Sequence, residues 1–203
     1  MLKKLLCSLA LAAGFAAGAH AEALTPDALI KNVSTDVIES VKADKAIQGG
    51  DVKKINDLVD AKVMPHVDFQ RMTSSAVGRS WRTATPDQQK RLLEEFKILL
   101  VRTYAGALTQ VKDQTVQLKP MRSTPADTEV VVRTEVKGKG DPIQLDYRLA
   151  KTGEEWKIYD VNVLGVWLVD QYRSDFATVV NASGVDGLIA KLVERNKAPA
   201  AKS

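Results

Sequence analysis

The feature that most constrains the fold is a change of hydrophobic period near the middle of the chain. As far as Val111 the apolar residues recur at helical spacing, and from Thr115 to Leu164 they alternate with polar residues. Helical spacing lines one face of a helix, whereas alternation lines one face of a strand. Helices followed by strands and a final helix predict an α+β domain, with the helices packed on one face of a twisted antiparallel sheet of about four strands.

Capping residues mark where two of the helices begin. Thr25-Pro26 and Thr85-Pro86 each place a hydroxyl before a proline, and Gln88 completes a capping box with Thr85. Such side chains satisfy backbone N–H groups at a helix start, and proline suits the first helical position. We therefore predict helices that begin at Pro26 and Pro86.

The alternating half of the chain divides into strand-sized segments separated by turn residues. The predicted strands are Thr115–Met121, Glu129–Lys137, Ile143–Leu149 and Trp156–Leu164. Short turns between alternating segments are typical of an antiparallel meander. A short last helix is expected over Val185–Glu194.

The N-terminus has the three parts of a secretory leader. Met1–Ala21 combines two lysines, an apolar run too short to span a bilayer, and Ala-His-Ala before the expected cleavage site. We therefore predict an exported protein with a single domain over residues 22–195 and a disordered tail over residues 196–203. Cys7 is the only cysteine and lies in the leader, so the domain must depend on its apolar core rather than on disulfides.

Composition and motifs argue against several classes of function. Without the two leader lysines the formal net charge falls from +4 to +2, which does not indicate nucleic-acid binding. His66 is the only histidine outside the leader, so the usual zinc ligand sets are missing. The sequence contains no Gly-x-Ser-x-Gly elbow and no glycine-rich phosphate loop. We therefore expect no catalytic residue, no metal and no cofactor.

Asp146 and Asp160 are the best candidates for acid–base chemistry, because both lie on predicted strands. Alternation places Asp146 on the face opposite to Leu145 and Tyr147. Asp160 lies in an apolar run, where burial of an inward side chain would raise its pKa. A structural role for Asp160, such as an ion pair with Arg173, is the alternative.

The strand-to-helix corner at Trp156–Phe176 carries more apolar surface than a connection needs. Most residues between Val161 and Val169 are apolar, and none is a histidine, a cysteine or a serine. Spacing alone leaves open whether these side chains form a core or line a pocket, because ligand sites are themselves mostly apolar.

Three blocks of sequence resemble the MlaC family, also called the toluene-tolerance auxiliary proteins. The first block is Gly78–Leu108, with Trp81, an Ala-Thr-Pro sequence and a Thr-Tyr pair. The second is Trp156-x-Ile-Tyr-Asp-Val and the Gly-Val that follows it, and the third is Gly184-Val-Asp-Gly. In order, the blocks cover nearly the whole chain after the leader.

The resemblance implies an NTF2-like cone that holds the acyl chains of a phospholipid. It implies a periplasmic carrier, expected to be a monomer, that shuttles phospholipid between an outer-membrane lipoprotein–porin complex and an inner-membrane ABC transporter complex with its substrate-binding subunit. The family role is to maintain the lipid asymmetry of the outer membrane. Such a carrier needs a cavity and no catalyst, and the phospholipid is its cargo rather than a cofactor.

The apolar faces of the elements that would enclose the cone supply the predicted lipid-binding residues. These residues are Val67, Met72, Trp81, Phe96, Leu99, Leu100, Val132, Leu145, Tyr147, Val161, Val163, Val166 and Trp167. Two other interpretations remain open at this point. One is an NTF2-like isomerase or hydrolase with Asp160 as general base, which rests on fold analogy. The other is a protein-binding adaptor with a filled core.

Overall fold

The computed structural model describes residues 24–124 and 126–197, so the predicted leader and most of the predicted tail lie outside the described residues. The α+β prediction is confirmed, because helices pack against an open antiparallel sheet. The helices are α1 Pro26–Ala43, α2 Lys45–Gln48, α3 Val52–Leu58, α4 Phe69–Val77, α5 Pro86–Thr109 and α6 Leu168–Lys197. The segments between α3, α4 and α5 contain a π turn at Val59–Val63 and 3-10 turns at Met64–His66 and Gly78–Arg82.

Both predicted helix starts are confirmed, because α1 begins at Pro26 and α5 begins at Pro86. At α5 the Gln88 N–H donates to the Thr85 hydroxyl over 3.2 Å, and the Thr85 N–H donates to the Gln88 side-chain oxygen over 2.9 Å. This capping box satisfies backbone groups that the helix cannot pair internally. It fixes the start of α5, the helix that contacts most of the other helices.

Five strands form the sheet in their sequence order, each antiparallel to the next. They are β1 Thr115–Leu118, β2 Glu129–Lys137, β3 Ile143–Thr152, β4 Glu155–Val163 and β5 Val166–Trp167. The four predicted strands are all present, with boundaries that differ by a few residues. Strand β5 was not predicted, because a strand of 2 residues is too short to show alternation.

The inner face of the sheet is the face that the helices cover. Tyr147 pairs with Val161, and Leu145 pairs with Val163. Both valines pack against the buried residues of α4, α5 and α6. Because strand residues alternate between faces, this packing identifies the inner residues of β3 and β4.

The outer face carries a row of polar residues. Arg148 pairs with Asp160, and Asn162 pairs with Trp167. A register shift leaves Tyr159 without a partner opposite it, as in a β-bulge. The bulge moves the residues after Tyr159 by one position, so that Asp160 points outward and Val161 inward.

The buried apolar residues form three clusters. The helix core, between α4, α5 and α6, consists of Met72, Ala76, Val77, Leu92, Phe96, Leu99, Leu168, Val169, Tyr172, Phe176, Leu188, Ile189 and Leu192. The sheet core, between α1 and the inner face, consists of Leu29, Ile30, Val132, Leu149 and Ile158. The third core, where α1, α2, α3 and α5 meet, consists of Val41, Ile47, Ile55, Leu58, Val101 and Ala105. A domain usually has one contiguous core with small satellite clusters, so a division into three separate clusters is unusual.

Helix α6 is broken at Gly184, whose backbone has φ 71° and ψ −172°. Glycine adopts this conformation readily, and other residues are strained in it. Beyond the break, Leu188, Ile189 and Leu192 join the helix core. The break agrees with the predicted separate helix from Val185.

The last turn of α6 extends beyond the predicted domain boundary. Asn196 and Lys197, which the sequence analysis assigned to the tail, are helical. The Asn196 side-chain amide donates to the Glu95 backbone carbonyl over 2.9 Å, which fastens this turn to α5. Among the described residues, α6 is the one helix long and apolar enough to cross a membrane, but the break at Gly184 divides it, and one face of each part packs into the helix core.

Candidate functional site

Six apolar residues form a continuous strip on the inner face, at the end of the sheet where β4 turns into β5. The inner strip consists of Ile143, Leu145, Tyr147, Val161, Val163 and Val166. Val163 lies between its two cross-strand partners, Leu145 and Val166. Since neighbouring strands are about 4.8 Å apart, these side chains present one apolar surface.

Exposure of the inner strip rises toward the end of the sheet. Tyr147 and Val161 are half-buried, whereas Ile143 and Val166 are 43% and 49% exposed. Leu149, farther along β3 on the same face, is fully buried in the sheet core. The inner face is therefore closed at one end and open at the other.

Helix α5 contributes partly buried residues to the margin of the helix core, which the strip also borders. Leu100 and Tyr104 lie one turn apart on α5, and both border the helix core, as Val161 and Val163 do. Val161 also borders the sheet core. Val161 thus lies at the boundary between the two cores, which we call the seam, and none of these four side chains is fully covered.

Tyr147 introduces a hydroxyl into this apolar region. Burial raises the pKa of the Tyr147 hydroxyl, and hydrogen bonds with Ser34 and Thr134 oppose that rise. The side chain nevertheless keeps part of its surface accessible.

Asp160 is completely buried and fastens the corner between β4 and α6. Its Oδ1 accepts hydrogen bonds from the Val161 N–H at 2.9 Å and from the Val169 N–H at 3.0 Å. Its Oδ2 accepts one from Arg148 Nη1 at 2.9 Å. The Val169 N–H belongs to the first turn of α6, where helix donors lack internal partners. Asp160 therefore holds the start of α6 against the sheet.

Burial raises the pKa of Asp160 above its ordinary value of 3.8. The Val169 N–H and the Arg148 guanidinium stabilise the carboxylate and partly offset this effect. The structural interpretation of Asp160 thus applies, with Arg148 as the partner in place of the suggested Arg173. Arg173 instead donates from Nε to the Ser75 carbonyl over 2.9 Å.

Trp167 lies on the outer face, beneath Arg148. The guanidinium carbon of Arg148 is 3.9 Å from the centroid of the Trp167 ring. The same arginine approaches Asp170 at 3.6 Å. Trp167 therefore faces away from the inner strip, contrary to its predicted place in the pocket, and braces the corner from outside.

The other predicted lipid-binding residues fall into three groups. Those on the inner strip are Leu145, Tyr147, Val161, Val163 and Val166. Those partly buried beside the helix core are Val67, Trp81 and Leu100. Those fully inside a core are Met72, Phe96, Leu99 and Val132. The last group could touch a ligand only if the cores rearranged.

Two strip or seam residues were missed by the sequence analysis. Ile143 stands at the first position of an alternating run, and Tyr104 lies four residues after Leu100 on α5. Both positions continue an apolar pattern that is visible in the sequence, so either could have been predicted from it. Asp146, in contrast, lies on the outer face as predicted, 3.9 Å from Arg133 Nε.

Two adjoining surface pockets of about 370 Å³ each lie elsewhere, between the end of α4 and α6. Both are lined by Gly78, Arg79 and Arg173, and the first also by Trp81 and Arg82. Their lining is more basic than a site for acyl chains requires. Within residues 24–124 and 126–197, no cluster of His, Cys, Asp and Glu could hold a metal ion.

Known proteins match this chain over most of its length. The sequence model of the MlaC protein family matches residues 31–194. The toluene tolerance protein ttg2D of Pseudomonas putida is 26% identical over 165 residues, which is 81% of this chain and 77% of that protein. The intermembrane phospholipid transport system binding protein MlaC of Haemophilus influenzae is 22% identical over 179 residues, covering 86% and 84% of the two chains.

A solved structure is also similar. The phospholipid-binding protein from Ralstonia solanacearum was determined in complex with a phospholipid. It superposes with a TM-score of 0.83 at 45% sequence identity, and the match covers 85% of this chain and 97% of that chain. The helices and the sheet around the inner strip therefore have a close structural counterpart.

Proposed function

The chain belongs to the MlaC family, and from this premise we propose that it carries a phospholipid whose acyl chains lie between the inner strip and helix α5. The proposal extends to a periplasmic location, reached through the N-terminal leader. Its partners are proposed to be an outer-membrane lipoprotein–porin complex and an inner-membrane ABC transporter complex, between which the protein would maintain outer-membrane lipid asymmetry.

The observation that carries the proposal is the inner strip itself. Soluble proteins rarely leave a connected apolar surface uncovered unless it binds something. Here the uncovered surface starts at Ile143 and Val166 and continues inward to Val161 and Tyr147. An elongated apolar ligand would cover this surface and fill the seam between the helix core and the sheet core.

The energetics suit reversible carriage. Each buried methylene contributes about 0.8 kcal/mol relative to water, so about 30 methylenes amount to more than 20 kcal/mol. A bilayer interior offers nearly the same environment, which brings the net free energy of transfer from membrane to protein close to zero. Such a carrier holds its lipid firmly against water and still releases it to another apolar site, without a covalent bond.

The alternative of a small-molecule enzyme with Asp160 as general base is disfavoured by geometry. A base must reach its substrate proton with a free lone pair. The Asp160 carboxylate is buried among three donors and lies on the outer face, whereas the uncovered apolar surface lies on the inner face. Its position serves to fix the corner that carries Val163 and Val166.

Native mass spectrometry tests the proposal directly. The protein would be purified from cells without detergent and without added lipid, alongside the Ralstonia solanacearum relative as a positive control. We expect a mass increment that organic extraction identifies as phospholipid. A bare polypeptide mass, under conditions in which the relative keeps its lipid, would contradict the proposal.

A further inference from the structure

The open end of the inner strip continues into an exposed apolar tip. Among the described residues, the large apolar side chains that remain exposed are Leu24, Ile143, Leu164 and Val166. The last three lie together, because Leu164 and Val166 flank the β4–β5 turn and the Leu164 N–H donates to the carbonyl of Gln144, next to Ile143. Leu164 is the most exposed of them, at 67%. We call these three residues the tip.

The backbone holds Leu164 outward in an unfavourable conformation. Its φ is 52°, and it is the only non-glycine residue with positive φ among those the structure describes. Leucine is strained there, and such strain persists where the surroundings impose it. The hairpin between β4 and β5 imposes it, because a two-residue turn of this type requires positive φ at both Leu164 and Gly165. The Gly165 N–H also donates to the Asn162 side-chain oxygen over 2.8 Å. The chain thus presents an apolar side chain on a tight turn rather than folding it inward.

The base of the tip is braced as well. Asn162 is only 5% exposed, and its strand partner Trp167 lies under Arg148. Arg148 is in turn bonded to the buried Asp160. A loop built only to connect β4 with β5 would need neither an exposed leucine nor this support.

We propose that the tip docks the protein on a phospholipid bilayer, so that the open end of the inner strip meets the acyl region of the membrane. This inference rests on the proposed function and names the surface through which that site would load and unload. Contact between the tip and the bilayer would let an acyl chain pass from one apolar environment to the other without crossing water.

The size of the tip favours a bilayer over a protein surface. A specific protein interface buries about 800 Å² on each partner, far more than three side chains can supply. A few exposed apolar side chains are instead sufficient for weak, reversible insertion into the interfacial region of a membrane. The turn before Ile143 adds little net charge, because exposed Lys137 lies 3.8 Å from Glu135 and Asp141 follows Lys139 on the same turn.

Vesicle flotation with Leu164→Asn tests the inference. The probe is a vesicle of phosphatidylethanolamine and phosphatidylglycerol in a ratio of about three to one, as befits an anionic interfacial surface. Asparagine tolerates positive φ, so this variant should fold at least as well as the parent. We expect its vesicle binding, and its rate of phospholipid delivery to vesicles, to fall about tenfold, given the apolar area removed. Leu24→Asn, an exposed leucine outside the tip, is the matched control and should change neither.

The outcomes separate the inference from the proposed function. Native mass spectrometry of Leu164→Asn should still show bound phospholipid, since the inner strip is intact. Unchanged vesicle binding by Leu164→Asn would overturn docking by the tip, while bound lipid would still support carriage. Loss of delivery only to a membrane-protein acceptor, or loss of self-association instead of vesicle binding, would overturn it in favour of a protein partner or a second copy. A parent protein that holds no lipid would contradict the proposed function itself.

Discussion

At the scale of single residues, the hydrogen bonds of Asp160 distinguish a structural role from a catalytic one. Its three hydrogen bonds replace those that water would make, and one of them caps the start of α6. A buried carboxylate with a full set of donors stabilises geometry, whereas a catalytic base keeps a lone pair free. The role of Asp160 is therefore to fix where β5 and α6 begin relative to the sheet.

Asp160→Asn should lower the free energy of unfolding by about 1–3 kcal/mol, because hydrogen bonds to a charged acceptor are weakened. Lipid bound per folded molecule should not change. Asp170→Asn is the control: Asp170 also approaches Arg148, but its side chain is 55% exposed, so its loss should cost less than about 1 kcal/mol. Chemical denaturation with lipid quantification checks both. Loss of a chemical activity with unchanged stability would instead support the enzyme alternative.

The difference in stability between the parent protein and Asp160→Asn should depend on pH. Burial raises the pKa of Asp160 above 3.8 in the folded state. Between the unfolded and folded pKa values the native state binds the proton more readily, so stability falls as pH rises through this window. The stability advantage of the parent over Asp160→Asn should therefore be larger near pH 3.8 than at neutral pH. Denaturation curves across that range measure the difference, and an advantage that grows with pH would contradict it.

At the scale of elements, the strands and the capped helices could be predicted because their signals are local. The capping box at Thr85 and the alternation through Ile143–Leu149 depend only on neighbouring residues. The face of Trp167 could not be predicted, because it depends on the bulge at Tyr159 and on a turn at Leu164 that creates a strand of 2 residues. The bulge and the turn each change the face of the sheet on which the following residues lie.

The sequence also could not show which apolar residues are buried in a core and which line its margin. Phe96 and Leu100 lie one turn apart on α5, and both belong to its apolar stripe. Phe96 is completely buried between helices, whereas Leu100 borders the seam and is partly exposed. Helical periodicity gives the width of an apolar face but not what covers each part of it.

The inner strip predicts a face-specific effect on lipid binding. Val163 and Val131 are both half-buried on neighbouring parts of the sheet, but Val163 faces inward and Val131, paired with Arg148, faces outward. Val163→Ser should weaken phospholipid retention about tenfold, because it removes roughly two methyl groups of apolar contact. Val131→Ser should leave retention unchanged at a similar cost in stability. Competitive lipid exchange measures both, and equal losses would argue against a site on the inner face.

The break in α6 predicts a conformational cost. Gly184→Ala places a side chain at φ 71°, and although nothing lies within 4 Å of the new methyl group, the backbone itself is strained. We expect the free energy of unfolding to fall by about 1–3 kcal/mol. Gly140→Ala also enters open space, without positive φ, and should be close to neutral. Thermal unfolding distinguishes them, and equal stability would show that the break does not depend on glycine.

At the scale of the whole molecule, the division of the apolar interior is the main structural feature. The helix core and the sheet core touch at Val67 and Val161, and Ile143 and Val166 at the end of the sheet remain exposed. The fold class follows from the order of elements, which is visible in the sequence. The division of the interior depends on how the helices pack on the sheet, a long-range property that no local pattern specifies.

The measurement that tests this account most directly is a search for nuclear Overhauser effects between phospholipid acyl chains and methyl groups of the protein. With methyl-labelled protein loaded with phospholipid, we expect contacts to Leu145, Val161 and Val163 and none to Val131. Contacts confined to Val77 and Val180, beside the basic surface pockets, with none on the inner strip, would contradict the proposed binding site.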